Sequence, residues 1–328
     1  MKHKKLLIID GLNSFYRSYI VDPSISSKGL PIGGLKGFLK QMQKHCREIQ
    51  PDEVVVVWDG EGGSSRRKKV FSGYKEGRKP IKPKNLEKTF DYWSDDEMNR
   101  NKSWQLGRLF EYLNFMPFKQ LYFDNVEADD IIAIACHSPL YADYKKIIIS
   151  NDKDFYQLLN KDVIIYRPAT KKFETMSTII NEYKIHPNNF AIARAMVGDK
   201  SDNLAGVERV GIKTAVKIFP ELSGSSPVNV DDLIDKVKAK EEKLLVAEKN
   251  ILESEDIVLR NYRLMQLYSP VVAPDLADKI RNIIADSEIS YGLTEIKKMM
   301  LIDGFGEYNW DYLEMYCRRL VKNSKDEE

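Results

Sequence analysis

Acidic side chains follow three apolar runs of the sequence at the point where each run ends. Asp10 follows Lys5–Ile9, Asp59 follows Val54–Trp58, and two further aspartates follow Lys146–Ser150. If these runs are parallel strands, their carboxyl ends meet at one edge of a sheet, where ligands bind. Three more acids stand before a helical pattern. We therefore expect seven carboxylates at this edge: Asp10, Asp59, Glu127, Asp129, Asp130, Asp152 and Asp154.

Such a group of carboxylates would repel strongly unless cations neutralised it. Hard oxygen ligands favour Mg²⁺ or Mn²⁺. Two such ions about 4 Å apart can activate water and stabilise the leaving oxygen in phosphodiester cleavage. Each aspartate alone is also a common turn or helix-cap residue. The repeated placement after three strands, together with the acidic helix start, favours a metal site.

A second informative stretch has the sequence GDKSDNLAGVERVGIKTA, residues 198–215. It does not match the ATP-binding P-loop, because Ile212 separates the second glycine from the lysine and a helical pattern precedes the stretch. A helix–hairpin–helix that grips a nucleic-acid backbone fits better, and a plain glycine-capped connection is the alternative. The candidates for holding a phosphate are Gly206, Gly211, Lys213 and Thr214.

Two further carboxylates, Asp199 and Asp202, lie in the same stretch, three residues apart. They could complete the metal site from the helical half of the chain, which would place the gripped strand beside the metal ions. Spacing alone supports a second interpretation equally well, in which both are solvated charges near a helix end.

Residues 64–88 are rich in lysine and arginine, with Phe71 and Tyr74 between them. Phosphates attract basic side chains irrespective of sequence, and aromatic rings can stack on unpaired bases. A charge run is usually a solvated surface, but the density of this one and its position after Asp59 favour a nucleic-acid contact. Lys75 and Arg78, one helical turn apart, could both approach the phosphate being cut. The candidate contacts are Arg66, Arg67, Lys68, Lys69, Tyr74, Lys75 and Arg78.

The elements that must position these residues predict an α/β fold. Five apolar runs are continuous rather than alternating, as in buried parallel strands: 5–9, 54–58, 120–123, 146–150 and 163–166. We predict a mostly parallel twisted sheet with helices on both faces over residues 1–185, interrupted by a basic insertion at about 64–104, into which the polar Ser94–Lys102 run extends. Residues 186–328 are predicted to be a helical region that binds nucleic acid, with the helix–hairpin–helix at about 188–219.

The bulk properties exclude several classes of protein. The net charge of +2 over 328 residues implies no partner by itself. The three cysteines are far apart and odd in number, which argues against a disulfide framework and for a reducing cytoplasm. The histidines lack zinc spacing. No apolar run is long enough for a signal peptide or a membrane helix, so we expect a soluble, cytoplasmic protein.

Together these stretches resemble the flap endonuclease and 5′→3′ exonuclease family, particularly its compact bacteriophage members, over roughly residues 4–270. Residues beyond about 270 are similar to the helical C-terminal part of phage RNase H-like members. The matching motifs are Ile8-Ile9-Asp10-Gly11 with Tyr16-Arg17, Val57-Trp58-Asp59, Tyr74-Lys75-Glu76-Gly77-Arg78, Glu127–Asp130, Asp152-Lys153-Asp154 and Gly198–Asn203.

The resemblance implies a PIN-like nuclease core with two divalent ions, Mg²⁺ or Mn²⁺. The expected ligands of the first ion are Asp10, Asp59, Glu127, Asp129 and Asp130, and those of the second are Asp152, Asp154, Asp199 and Asp202. The expected catalytic residues are Lys75 and Arg78, both on the scissile phosphate, and Asp152.

The resemblance also implies how nucleic acid would be held. Arg17 would contact nucleic acid, Tyr74 would stack near the separated base, and the insertion would form an arch for a single-stranded 5′ end. The hairpin would grip the duplex and hold a potassium ion through backbone carbonyls. Arg209 stands where the family usually has glycine, so this potassium site depends on whether Arg209 can form the same tight turn. Asn151 replaces a small residue common before the Asp-x-Asp pair.

The function predicted from these features is a structure-selective 5′ nuclease that cuts flaps, nicks, gaps or RNA primers in DNA replication and repair. One alternative, a non-catalytic DNA-binding protein of the same fold, would be expected to lack one or more acidic ligands. A second, a Mg²⁺-dependent phosphatase, would want an acid two residues after its nucleophile, where this chain has Leu12. The expected partners of a monomeric chain are branched or 5′-ended DNA and RNA–DNA hybrids, with a replication single-strand-binding protein or clamp as a further candidate and no membrane.

Overall fold

A six-stranded sheet lies at the centre of the computed structural model, which describes residues 3–78, 81–82, 90, 93–241, 243–267, 274–285 and 291–325. The strands are β1 (Lys5–Asp10), β2 (Glu53–Val57), β3 (Lys119–Leu121), β4 (Lys145–Ile149), β5 (Val163–Arg167) and β6 (Lys172–Glu174). Their order is β3-β2-β1-β4-β5-β6. The first five are parallel, which confirms the predicted strands, and the short edge strand β6 is antiparallel and was not predicted.

The central strands β1, β2 and β4 are buried on both faces, which explains why their apolar runs are continuous. Leu6 and Ile8 point into one hydrophobic cluster, whereas Leu7 and Ile9 point into another on the opposite face. This division follows from the period of two of a β-strand. Because helices cover both faces, neither side of β1 needs polar residues before Asp10.

Fourteen α-helices surround the sheet in the part of the chain that the structure describes. They are α1 (Gly11–Val21), α2 (Gly33–Ile49), α3 (Ser65–Val70), α4 (Asp95–Asn114), α5 (Ala128–His137), α6 (Met176–Tyr183), α7 (Phe190–Val197), α8 (Ile212–Ile218), α9 (Val230–Lys238), α10 (Val246–Glu253), α11 (Glu255–Met265), α12 (Pro274–Ala285), α13 (Leu293–Asp303) and α14 (Asp311–Lys325).

The helical second half of the chain covers both faces of the sheet. Buried residues of α5 and of α7 to α12 share one hydrophobic cluster, whereas those of α1, α2, α4, α13 and α14 share the other. The last two helices thus return to the first half of the chain. There the hydroxyl of Tyr112 donates to Asp303 over 2.5 Å, and Tyr316 donates to the carbonyl of Pro51. No described helix combines the length and apolar character that crossing a membrane requires.

Helix boundaries differ from the sequence prediction where capping decides them. The polar Ser94–Lys102 run, expected to extend the basic insertion, is instead the start of α4. Ser94 accepts from the backbone N–H of Glu97, and the Glu97 carboxylate accepts from the backbone N–H of Ser94, which together form a capping box. Within the predicted helical region, α10 begins at Val246, after a similar bond from the Leu245 N–H to Glu248.

Candidate active site

The ends of β1 and β4 are joined through the side chain of Ser150. Asp10, the last residue of β1, accepts hydrogen bonds from the hydroxyl of Ser150 over 2.8 Å and from the backbone N–H of Asn13 over 3.1 Å. The same hydroxyl accepts from the backbone N–H of Asp152 over 3.1 Å. Asp10 therefore caps α1 and is fixed beside the acidic turn that follows β4.

Asp59 joins the end of β2 to the acidic start of α5. Its carboxylate accepts from the backbone N–H of Ala128 over 2.6 Å. Glu127 precedes this helix, and Asp129 and Asp130 lie in its first turn, where aligned N–H groups favour negative charge. The edge formed by the carboxyl ends of β1, β2 and β4 thus receives carboxylates from four chain segments, as the sequence predicted.

Five of these carboxylates line one open cavity of about 570 Å³, called the acidic cavity below. Its acidic residues are Asp10, Asp59, Glu127, Asp129 and Asp152. Lys75 and Arg78 also line it, together with Asn13, Tyr16 and Ser201. The predicted catalytic lysine and arginine therefore face the same space as the carboxylates that follow the strands.

Lys75 and Arg78 are held at the cavity by the loop 199–203 of the helical half. The backbone N–H of Lys75 donates to the carbonyl of Asp202 over 2.9 Å, and its ammonium lies 2.8 Å from Glu127 Oε1. Arg78 donates to the carbonyl of Ser201 over 3.1 Å and pairs with the carboxylate of Asp202. The two residues do not share a helix as expected, because 72–77 forms turns in which Lys75 has φ of 59°.

Arg67 and Tyr74 occupy positions that differ from the prediction of exposed nucleic-acid contacts. Arg67 is 9% exposed and pairs with the acids at the start of α5. Tyr74 is 3% exposed, and its hydroxyl donates to Glu127 over 3.2 Å, so its ring is not free to stack on a base. The reason is electrostatic, because buried carboxylates require hydrogen-bond donors that the basic segment supplies.

Two of the remaining predicted acids, Asp154 and Asp199, pair with a residue that the sequence analysis missed. Arg194 of α7 donates to Asp154 over 3.0 Å and also pairs with Asp199. Asp199 and Asp202 thus have different partners, since Asp202 pairs with Arg78. The signal for Arg194 is its position as the one charged residue of an otherwise apolar helix, FAIARAMV. Such a charge is buried only with a partner.

Burial disfavours the charged form of several acids at this edge of the sheet, among them Asp10 and Asp154, and so raises their pKa values. Burial, with help from neighbouring Asp59 and Asp152, raises the pKa of Asp10 to about 7 against the opposing hydrogen bonds of Ser150 and Asn13. Burial and Asp152 likewise raise the pKa of Asp154. Burial lowers the pKa of Lys75, but Glu127 and Asp129 outweigh it, so the net pKa is raised and the side chain is an ammonium ion.

The donor set of the acidic cavity fits a divalent cation. In the part of the chain that the structure describes, no three His, Cys, Asp or Glu side chains are already gathered closely enough to hold a metal ion. Basic side chains instead contact several of the carboxylates, as Lys75 does with Glu127. Buried carboxylates with raised pKa values are short of positive charge, and hard oxygen donors suit Mg²⁺ or Mn²⁺.

The stretch predicted to form a helix–hairpin–helix folds as α7, the loop 198–211 and α8. Gly206 allows close packing, because a Cβ there would lie 2.0 Å from the carbonyl oxygen of Val197. Asn261 of α11 donates to the carbonyls of Ala195 and Ala205 over 3.0 and 2.8 Å. Arg209 adopts φ of 61°, so the left-handed turn that glycine favours forms without glycine.

The other predicted nucleic-acid contacts lie on several surfaces. Lys68 and Lys69 of α3 are exposed, and Arg66 is half-buried. Lys213 is exposed in the first turn of α8, where Gly211 precedes the helix and Thr214 is half-buried. Arg17 is half-buried on α1, next to the cavity residue Tyr16. Three lysines of the insertion lie outside the described residues: Lys79, Lys84 and Lys88.

Comparison with known proteins identifies similar chains. Residues 5–186 match the family model described as 5′-3′ exonuclease, N-terminal resolvase-like domain. A 5′-3′ exonuclease of Aquifex aeolicus is 28% identical over 90% of this chain and 96% of its own length. The thermostable DNA polymerase I of Thermus aquaticus is 30% identical over 72% of this chain, which corresponds to 26% of that polymerase.

Solved structures show the same fold. The T5 D15 protein co-crystallised with metal ions has a TM-score of 0.68 and 22% identity, and the match covers 87% of this chain and 100% of that one. Human GEN1 in complex with Holliday junction DNA has a TM-score of 0.52 and 15% identity over 98% of this chain and 72% of that one. Because the family model matches more than half of the chain, the chain belongs to the 5′-3′ exonuclease family of nucleases.

Proposed function

We propose that this chain hydrolyses phosphodiester bonds near the 5′ ends of flaps, nicks, gaps or RNA primers during DNA replication and repair, by a two-metal-ion mechanism. The observation that carries the proposal is the acidic cavity. There the carboxylates that follow three parallel strands face Lys75 and Arg78 across one space. Oxygen ligands for cations and positive side chains for a phosphate are the two requirements of phosphoryl-group chemistry.

The residues that would hold the ions fall into two groups. Asp10, Asp59, Glu127 and Asp129 would serve the first ion, and Asp152, Asp154, Asp199 and Asp202 the second. When bound, the ions would supply an activated water and stabilise the leaving oxygen. Ser150 and the N–H of Ala128 would orient Asp10 and Asp59, because each fixes its carboxylate by a hydrogen bond.

Lys75 and Arg78 would hold the phosphate that is cut. Both already line the cavity, and their ion pairs with Glu127 and Asp202 would be exchanged for pairs with the phosphate and the metal ions. The exposed residues Lys68, Lys69 and Lys213 would bind backbone phosphates, which carry no sequence information. Because such contacts do not read bases, the chain would select its substrate by structure rather than by base sequence.

Further predictions rest on the family resemblance. Branched or 5′-ended DNA and RNA–DNA hybrids would be the substrates of a monomeric chain, and a single-strand-binding protein or clamp would be the replication partner. A potassium ion at the hairpin is supported by the turn that Arg209 forms with φ of 61°. Mg²⁺ and Mn²⁺ would both fit the carboxylate donors.

The test is cleavage of a 5′-labelled flap substrate with and without Mg²⁺. We expect metal-dependent cutting near the junction, a loss of about 10³-fold or more in Asp152→Asn through the missing ligand, and a slower reaction by about 10²-fold in Lys75→Ala. Asp143→Asn is a matched control, because Asp143 is exposed and precedes the opposite, amino end of β4. Tight flap binding without cleavage at any divalent metal would indicate a structure-specific binding protein instead.

A further inference from the structure

Asp130 differs from the other acids of its motif in how its carboxylate is used. Both of its oxygens accept hydrogen bonds from the guanidinium of Arg67, from Nη1 to Oδ2 over 2.9 Å and from Nη2 to Oδ1 over 3.1 Å. Asp130 is 7% exposed and does not line the acidic cavity, whereas Glu127 and Asp129 do. Such a fork is the strongest arrangement that arginine and a carboxylate form.

The same guanidinium contacts the two acids that do line the cavity. Arg67 Nη1 lies 3.0 Å from Glu127 Oε2, and Nη2 lies 3.1 Å from Asp129 Oδ2. The remaining N–H, on Nε, donates to the carbonyl of Leu264 at the end of α11 over 2.9 Å. Every nitrogen of this buried side chain therefore has a protein acceptor, and its orientation is fixed from two chain segments, the start of α5 and the end of α11.

We propose that Asp130 is not a metal ligand but the partner that orients Arg67, and that the Arg67–Asp130 pair positions Glu127 and Asp129 toward the cavity. The proposal rests on the proposed function, in which those two acids bind a divalent ion. Asp130 neutralises Arg67 and fixes its plane. Arg67 in turn contacts one carboxylate oxygen of Glu127 and one of Asp129. Residues that hydrogen-bond to metal ligands commonly orient them in this way.

Physical chemistry favours this role over direct ligation. For Asp130 to reach an ion in the cavity, it would have to leave the fork, and the buried guanidinium of Arg67 would lose its closest counter-charge. Breaking a buried pair by removing one partner is strongly destabilising. Asp129 can serve without this cost, because its side chain is 27% exposed against 10% for Asp130.

A double-substitution cycle, measured by Mn²⁺ binding, distinguishes Asp130 as a metal ligand from Asp130 as the residue that orients Arg67. The proteins are wild type, Arg67→Gln, Asp130→Asn and the double variant, whose neutral amides can still share a hydrogen bond. Mn²⁺ affinity is measured by calorimetry without substrate. If Asp130 acts through Arg67, each single substitution weakens Mn²⁺ binding by roughly 10- to 100-fold. The double variant then resembles either single one, because the effects are not additive.

Asp59→Asn supplies the comparison for a direct ligand, because Asp59 lines the cavity and is held by the Ala128 N–H rather than through Arg67. We expect it to weaken Mn²⁺ binding by a similar factor in both the wild-type and the Arg67→Gln background, so that its effect multiplies with that of Arg67→Gln. If Asp130→Asn also multiplies with Arg67→Gln, Asp130 binds the ion directly and the proposal is overturned. A wild-type chain that binds no Mn²⁺ would instead contradict the proposed function itself, and the inference with it.

A second buried pair controls for a general loss of stability. Arg108 and Asp303 form a 2.8 Å ion pair outside the acidic cavity, with Asp303 8% exposed. Arg108→Gln should lower the melting temperature as Arg67→Gln does, yet leave Mn²⁺ affinity unchanged. If Arg108→Gln weakens Mn²⁺ binding as strongly as Arg67→Gln, the effect reports stability alone and the positioning role is rejected. Arg67→Lys, which keeps the charge without the fork, should recover part of the affinity.

Discussion

At the scale of single residues, Asp10 combines a structural and a chemical position. It ends β1, caps α1 through the Asn13 N–H, and accepts from Ser150, while facing the acidic cavity. The helix cap stabilises the folded chain, whereas burial beside other acids makes the ionised carboxylate costly. The net contribution of Asp10 to the stability of the fold therefore depends on pH, since burial raises the pKa of Asp10 to about 7.

This balance predicts how the stability of the metal-free chain changes with pH. The folded chain binds the Asp10 proton more tightly than the unfolded chain, whose pKa for this group is about 3.8. The contribution to stability is therefore complete below pH 4 and is lost as the pH rises toward 7. In EDTA, Asp10→Asn should show a higher melting temperature relative to wild type at pH 7.5 than at pH 4. A constant difference between the two proteins across this range would contradict the prediction.

At the scale of elements, the loop 198–211 between α7 and α8 depends on close backbone packing. Gly206 lies against Val197, and the backbone N–H of Val207 donates to the carbonyl of Met196 over 2.7 Å. Gly198, with φ of 75°, packs equally closely, since a Cβ there would lie 2.4 Å from the backbone nitrogen of Gly206. Gly211 has open space around it, so the glycines of this stretch differ in what they do.

Gly206→Ala should destabilise the protein, because the added Cβ would meet the carbonyl oxygen of Val197 at 2.0 Å and the backbone would have to move. We expect a loss of about 1–3 kcal/mol in the free energy of unfolding, as for other overpacked sites. Gly211→Ala is the matched control, since a Cβ there meets nothing within 4 Å. Urea unfolding of both variants measures the difference, and equal stabilities would refute it.

At the scale of the whole molecule, charge is separated although its sum is small. The net charge is +2, yet acids gather at one sheet edge and exposed lysines lie on α3 and α8. Binding to a polyanion depends on such local surfaces rather than on the total. The affinity of the chain for DNA should therefore depend strongly on salt.

Alanine at Lys68, Lys69 or Lys213 should weaken binding to a flap substrate about equally for different base sequences. Each substitution should reduce the magnitude of the slope of log affinity against log salt concentration by about 1. The reason is that a protein with one phosphate contact fewer releases fewer counterions from the DNA when it binds. Fluorescence anisotropy in EDTA measures binding without cleavage. Lys172→Ala, on the edge strand β6, is the control. A slope unchanged by all three substitutions would remove α3 and α8 from the proposed interface.

The sequence predicted those features of the molecule that depend on residues close together in the chain. The five parallel strands and the acids at Asp10, Asp59 and Asp152 follow from apolar runs and from what ends them. Arg67 and Tyr74 could not be placed correctly, because their partner Glu127 lies more than fifty residues away and only the fold brings them together. The antiparallel β6, with three residues and an exposed Phe173, carries too little hydrophobic pattern to be recognised.

The hydrogen bond from Arg67 to the carbonyl of Leu264 has a consequence for how the protein is synthesised. By the time residue 186 is translated, the ribosome has made every strand and all the acids up to Asp154, but neither Leu264 nor Arg194. The arginine that holds Glu127 and Asp129 then lacks its backbone acceptor, and Asp154 lacks its counter-ion. A nascent or prematurely terminated chain thus has these carboxylates without their final arrangement, and the complete arrangement forms only after α11 has been added.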